Sequence, residues 1–363
     1  MQQKEIDINK IKELPMFFIV GSPRSGTTML RTIFDAHPNV SIPLENPFFL
    51  TFYKKYNLIK YWDKLTLESL FDEIINLKHK EYLSFAKWKM NNAILKENIL
   101  KMEGHFSFSE ITKMVFLNFN SIFPKNIISL IGDKNPAYSF VIPKILSVFP
   151  EAKFIHIIRD YRDHILSMQK VDFGSRLTPF TALKWRRCQK VIEKQKKIVP
   201  NRFVTIKYEE LVTNTSENIK EICNFLSVDF LPDILNFHNY KEDFLITYKD
   251  DGIEQYHSSL MQPINTSKIK TWKVKMPEKE IKMADMVVGR WAEKYGYERK
   301  YNGTYPLLYL YLLPIYVHII VQRFLGLFVR MLPHKAMNKV VYRNSIFEKL
   351  YEKIYIKLRG QKS

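Results

Sequence analysis

The sequence predicts an α/β fold, a parallel sheet of about five strands flanked by helices, and three observations predict it. Short apolar runs recur at 16–20, 126–131, 153–158 and 202–208, continuous in the way that strands buried on both faces must be. Segments with apolar residues at helical spacing lie between them. Gly21 and Gly26 follow the first run at P-loop spacing, so the backbone can turn tightly and offer N–H groups to an anion at a helix N-terminus. The sheet is therefore expected to be P-loop-like, with a phosphate as the default occupant of its first turn.

Residues 1–15 form a tail with no apolar core, neither a secretion signal nor a membrane anchor, which suggests a cytoplasmic chain. From 17 to 45 the pattern reads strand, turn, helix, strand. Met29, Leu30, Ile33 and Phe34 give the helix its apolar face, and Pro38 marks its end. The turn Gly-Ser-Pro-Arg-Ser-Gly-Thr-Thr lacks the Lys-Ser/Thr pair with which a Walker loop holds nucleotide phosphates and magnesium; its cation is Arg24, inside the loop. An NTPase is disfavoured.

Residues 47–123 carry aromatic and aliphatic side chains at helical spacing with lysines between them, as a helical insertion over the carboxyl edge of the sheet would, where ligands lie in open α/β sheets. Its aromatics, among them Phe48, Phe49, Phe52, Tyr53, Trp62 and Trp88, read either as an acceptor wall or as plain core. The run 126–131 leads into Asp133-Lys134-Asn135-Pro136, again a buried strand that delivers a cation to the sheet edge. The run 153–158 contains His156, read as a core histidine, and ends in Arg159, whose planar fork suits a phosphate. A short helix with Ile165, Leu166 and Met168 follows, then a basic amphipathic helix over 181–198, the strand 202–208, and a helix ending in Phe225-Leu226.

Composition narrows the function. With 363 residues, 46% hydrophobic, the chain can bury one large core and still have residues over for an extension. Cys188 and Cys223 are too few for a disulfide framework and read as small buried hydrophobes in a reducing compartment. The net charge of +19 would attract nucleic acid, an anionic membrane face or a polyphosphorylated donor. No nucleic-acid module is visible in the pattern, so nucleic acid is not an expected partner. No set of His, Cys, Asp and Glu stands at metal-ligand spacing, and no metal is expected.

The string Pro-Arg-Ser-Gly-Thr-Thr, followed by Asp-Ala-His-Pro and then Glu45, resembles the sulfotransferases that use 3′-phosphoadenosine 5′-phosphosulfate (PAPS), above all the branch of tyrosylprotein sulfotransferases and their bacterial relatives. The resemblance implies that Pro23, Arg24, Ser25, Gly26, Thr27 and Thr28 bind the phosphosulfate end of PAPS. It implies that Lys134 contacts the same group and that Arg159 and Ser167, eight residues on, grip the 3′-phosphate. Glu45 matches the position of the branch's catalytic Glu and is the expected base. His105 is the rival, because the cytosolic branch uses His. The family's C-terminal segment closes over the donor, which makes Ser258, Ser259, Lys268, Lys270 and Lys273 candidates around Trp272. The alignment is loose there, since the family's Ser-Lys reads Lys270-Thr271.

The resemblance covers 16–300, the expected sulfotransferase domain, and leaves 301–363 as an extension. Residues 307–321 are uncharged but broken by Pro314, too short for a membrane span of ~20 residues. Residues 346–358 form a basic amphipathic pattern, which reads either as a peripheral contact with the inner membrane face or as a helical layer packed on the core or on a second subunit, so a homodimer stays open.

The expected activity is sulfuryl transfer from PAPS, with 3′-phosphoadenosine 5′-phosphate (PAP) as product, to a hydroxyl of a lipophilic acceptor such as a sterol, lipid or lipid-linked sugar. Glu45 acts as base, Arg24 and Lys134 hold the leaving phosphate, and Phe48, Phe49 and His105 face the acceptor. A surface polysaccharide or a protein tyrosine is the alternative acceptor. A P-loop kinase and a non-catalytic nucleotide-binding protein at a membrane surface are the alternatives of other kinds.

Overall fold

The computed structural model describes residues 6–46, 48–77, 85–171, 174–248, 258–303 and 305–307, with Leu313, Val317, Ile320 and Phe324 beyond them. The basic amphipathic pattern at 346–358 lies outside the described residues. The chain forms two compact units, one of Met1–Arg159 with Lys190–Thr266, the other of Asp160–Gln189 with Ser267–Ser363.

The first unit holds a five-stranded sheet, β1 (Met16–Val20), β2 (Val40–Ser41), β3 (Leu130–Lys134), β4 (Lys153–Ile158) and β5 (Phe203–Lys207), in the order β2-β3-β1-β4-β5. Every pairing is parallel. All five residues of the central β1 are buried, which is why its sequence is apolar without alternation. A short helix, α1 (Ile8–Ile11), precedes β1, and Phe17 and Ile19 pack into the core with Leu30, Ile33 and Phe34 of α2 (Thr27–Asp35). Phe18 meets Tyr138 and Phe149 at ring distances of 5.7 and 5.6 Å.

β3 begins four residues later than the apolar run 126–131 suggested and includes the charged pair Asp133-Lys134. Hydropathy stops at the first polar residue, whereas the hydrogen-bond ladder continues: Phe18 stands opposite Asp133 and Ile19 opposite Lys134. Asp133 is fully buried, accepts a 2.5 Å bond from the Tyr138 hydroxyl, and leaves its Oδ1 without a partner. Burial pushes its pKa up from 3.8 to about 7. The folded state then holds a proton that the unfolded chain has lost, so stability falls as pH rises from 3.8 to about 7 and levels off above that. The slope is at most ~1.4 kcal/mol per pH unit. Asp133→Asn should remove this dependence, and melting curves from about pH 5 to about pH 8 should show the variant gaining on the native chain.

Between β2 and β3 come α3 (Phe48–Tyr56), α4 (Lys64–Ile75), a 3-10 turn at Phe85–Trp88, α5 (Asn92–Leu100) and α6 (Phe108–Leu117). Most of the aromatics named from the sequence are deeply buried here. Phe48, Phe49, Phe52, Trp62 and Trp88 are each at most 1% exposed. Phe48 alone meets the rings of Phe52, Phe85, Phe108 and Phe116 at 5.0–6.1 Å. Phe48 and Phe49 are thus buried core residues, Phe49 packing on Phe108, Tyr138 and Phe149 at 6.0–6.3 Å.

The second unit contains α8 (Tyr161–Met168), which follows α7 (Ile142–Val148) in the chain. Arg162 forms a two-pronged pair with Asp160, at 2.9 and 2.8 Å, and lies over the Trp272 ring at 3.6 Å. Asp163 accepts from the Thr271 hydroxyl at 2.6 Å and from the Trp272 N–H at 2.9 Å. Thr271, at the loosely aligned position, is therefore a structural tie to α8.

Both cysteines are free and buried, as the sequence led one to expect. Burial pushes the Cys223 thiol up to about 11, so it stays protonated.

Candidate active site

The loop after β1 is shaped by its two glycines. Gly21, at φ 150°, lies so close to β4 that a Cβ would come within 2.3 Å of the Ile157 carbonyl oxygen. Gly26, at φ 95°, begins α2, and a Cβ there would stand 2.6 Å from the Tyr208 ring. No side chain caps α2, so the N–H groups of its first turn, with their partial positive charge, are left for an anion in the loop. Ser25 is buried with its hydroxyl unpartnered. Pro23 is exposed at the loop's tip, and Thr27 is buried in the first turn of α2.

Two guanidinium groups border this loop. Arg159 is buried, donates to the Arg24 carbonyl at 3.1 Å, and lies over the Tyr208 ring at 4.5 Å. Arg24 takes the left-handed φ of 63°. Burial, and then the positive charge of Arg159, lower its pKa. Like charges held this close, beside an uncapped helix and an unsatisfied hydroxyl, make a cradle for a polyanion.

Glu45 and Lys134 are brought together as an ion pair, with Lys134 5% and Glu45 32% exposed at the side chain. Lys134 is delivered by the strand paired with β1, opposite Ile19 and two residues short of the loop. Glu45 sits in a segment clamped from several directions. The Arg31 guanidinium on α2 donates to the carbonyls of Ile42 at 2.6 Å and Pro43 at 3.3 Å. The Trp88 indole donates to the Leu44 carbonyl at 2.9 Å, and Asn135 donates to the Asn46 carbonyl at 3.1 Å. Arg31 is itself fixed by Asp35 at 3.0 Å, and Lys125 ties the same carboxylate to the Val40 carbonyl.

The clamping role of these residues does not show in the sequence, where Trp88 reads as one of the insertion's aromatics. Arg31 and Asp35 stand at helical i,i+4 spacing and could be read as a pair, but nothing local shows that they are buried. Asn135 and Trp88 act on residues 89 and 44 positions away. Asn135 was visible only as the turn residue between Lys134 and Pro136.

His105 is exposed, its ring edge-on to Tyr61 at 5.1 Å. Ser167 is half-buried on α8 in the second unit, where Lys268, Lys270 and Lys273 are exposed. Ser258 and Ser259 open a short 3-10 turn; their side chains lie outside the described residues.

The model of the sulfotransferase family matches residues 15–233. A protein-tyrosine sulfotransferase of Drosophila melanogaster is 26% identical over 76% of the chain, which spans about half of that relative's length. An omega-hydroxy-beta-dihydromenaquinone-9 sulfotransferase of Mycobacterium bovis is 31% identical over 26% of the chain and 28% of its own. Among solved structures, the sulfotransferase domain of the Synechococcus PCC 7002 olefin synthase aligns with a TM-score of 0.50 at 20% identity, covering 75% of this chain and 94% of that one, a likeness of fold.

Proposed function

The chain belongs to the sulfotransferase family, and from that premise we propose that it moves a sulfuryl group from PAPS to a hydroxyl of a lipophilic acceptor, with Glu45 as base. The observation that carries this reading is the Glu45–Lys134 pair beside a loop that gathers Arg24, Arg159, an unpartnered Ser25 hydroxyl and an uncapped helix end. PAPS supplies an activated sulfuryl group on a phosphate leaving group. Glu45 takes the proton of the attacking hydroxyl as the oxygen–sulfur bond forms. Lys134, Arg24 and the N–H groups of Gly26, Thr27 and Thr28 hold the charge that gathers on the phosphate as the old sulfur–oxygen bond breaks. Lys134 must exchange Glu45 for that phosphate, which leaves the carboxylate ready to accept a proton. Arg159 binds the 3′-phosphate. For Ser167, Ser258, Ser259, Lys268, Lys270 and Lys273 the support is the family resemblance alone.

The clamp on Glu45 makes its own prediction. Asn135→Ala should lower kcat by about 10- to 100-fold through a misplaced base, while the Kd for PAP stays within about twofold. Single-turnover rates and calorimetry separate the two effects.

A lipophilic acceptor agrees with the name of the mycobacterial relative and with the apolar composition of 307–321. The name of the Drosophila relative favours a protein tyrosine as the second reading. Incubation with sulfur-labelled PAPS, a bacterial lipid extract and a tyrosine-containing peptide tests the choice. Label in the organic phase is expected; label in the peptide alone would replace the first reading with the second.

A further inference from the structure

Three of the exposed large apolar side chains stand on one turn. Leu58 is 85% exposed, Tyr61 56% and Leu65 77%, and all three lie within eight residues where α3 gives way to α4. The turn is rigid. Trp62, at its middle, is fully buried, stacks on Tyr56 at 5.5 Å, and donates from its indole to the Phe106 carbonyl at 2.9 Å. Its backbone exchanges bonds of 2.8 and 2.9 Å with Gly104. This anchor holds the turn in place while Leu58, Tyr61 and Leu65 stand open to water among the described residues, as side chains that an apolar partner covers do.

The surrounding charges say which partner. Residues 54–65 contain four lysines and one acid. Asp63 spends its carboxylate capping α4, accepting from the Thr66 N–H at 2.7 Å, and Lys55 is paired with Glu73. Lys60 and Lys64 stand exposed between the apolar residues. A second copy of a chain with net charge +19 would bring the same lysines face to face. An anionic bilayer surface takes both features at once, the apolar tips entering the interface while the lysines reach the headgroups.

We propose that the turn 57–65 seats this protein on an anionic lipid bilayer. The inference is independent of the acceptor and of residues 301–363. Among the described residues no helix is long and apolar enough to cross a membrane.

Co-sedimentation of the full chain with vesicles of phosphatidylcholine, with and without about 30% phosphatidylglycerol, tests it. The native chain should bind the anionic vesicles and release them at high salt. Leu58→Glu with Leu65→Glu should lower the bound fraction by about 10-fold, and Lys60→Glu with Lys64→Glu should weaken binding and flatten its salt dependence. All four positions are exposed, so melting temperatures should not move. Native-like vesicle binding by the Leu58→Glu/Leu65→Glu chain would overturn the proposal by assigning the contact to another surface. Equal binding of the native chain to neutral vesicles, or to neither kind, would overturn it too. A native dimer that this variant converts to monomer would assign the turn to a second copy instead.

Discussion

Glu45→Gln is expected to lower kcat by about 10²- to 10⁴-fold, the range over which a positioned base accelerates proton transfer. Gln keeps the size of Glu and can still accept from Lys134, so the fold and the cradle around the loop should survive. PAP should bind at least as tightly as to the native chain, since the substitution removes no anion ligand and frees Lys134 from its competing carboxylate. The decisive comparison is between single-turnover transfer, which should collapse, and PAP affinity, which should not. Native turnover in Glu45→Gln would remove Glu45 as the base. His105, exposed against Tyr61, would then be the next residue to test.

Lys134→Ala should cost about 10²- to 10³-fold in kcat, the size of the loss when one charge-stabilising donor is removed from a transition state. Unlike Glu45→Gln it should weaken PAP as well, because the role proposed for the ammonium is to hold the phosphate. It also leaves Glu45 without its partner. Since the Glu45 side chain is 32% exposed, water can solvate the freed carboxylate, and the stability loss should be about 1–2 kcal/mol rather than that of a fully buried pair. Lys134→Arg should recover part of the binding and little of the rate, because the longer planar group cannot take the same position. The double variant Glu45→Gln/Lys134→Ala should lose less than the product of the two single losses, as residues that act on one another do.

Much of this site could be read in the sequence because its residues sit at the ends of strands. An apolar run followed by a cation marks Lys134 and Arg159, and two glycines after another run mark the loop, so local pattern is enough to find them. What holds Glu45 in place could not be read this way. Arg31, Trp88 and Asn135 each grip a backbone carbonyl across the fold, and a carbonyl leaves no trace in composition or spacing. The aromatics of the insertion illustrate a different limit. A wall facing a ligand and a core facing itself have the same helical period, and the ring packing around Phe48 cannot be read from that period. Hydropathy treats Asp133 as an exit from the strand, whereas the ladder carries it inside, where it accepts from the Tyr138 hydroxyl and burial raises its pKa to about 7.

The central claim is that the loop with Arg24 and Arg159 receives a 3′-phosphorylated adenosine nucleotide. Thermal unfolding of the native chain and of Arg24→Ala, with PAP, with ATP and magnesium, and with neither, tests it most directly. PAP at about 100 times its Kd should stabilise the native chain by about 2.7 kcal/mol, ATP with magnesium should not match it, and Arg24→Ala should abolish most of the PAP effect. No stabilisation by PAP, or an equal one by ATP with magnesium, would contradict the account.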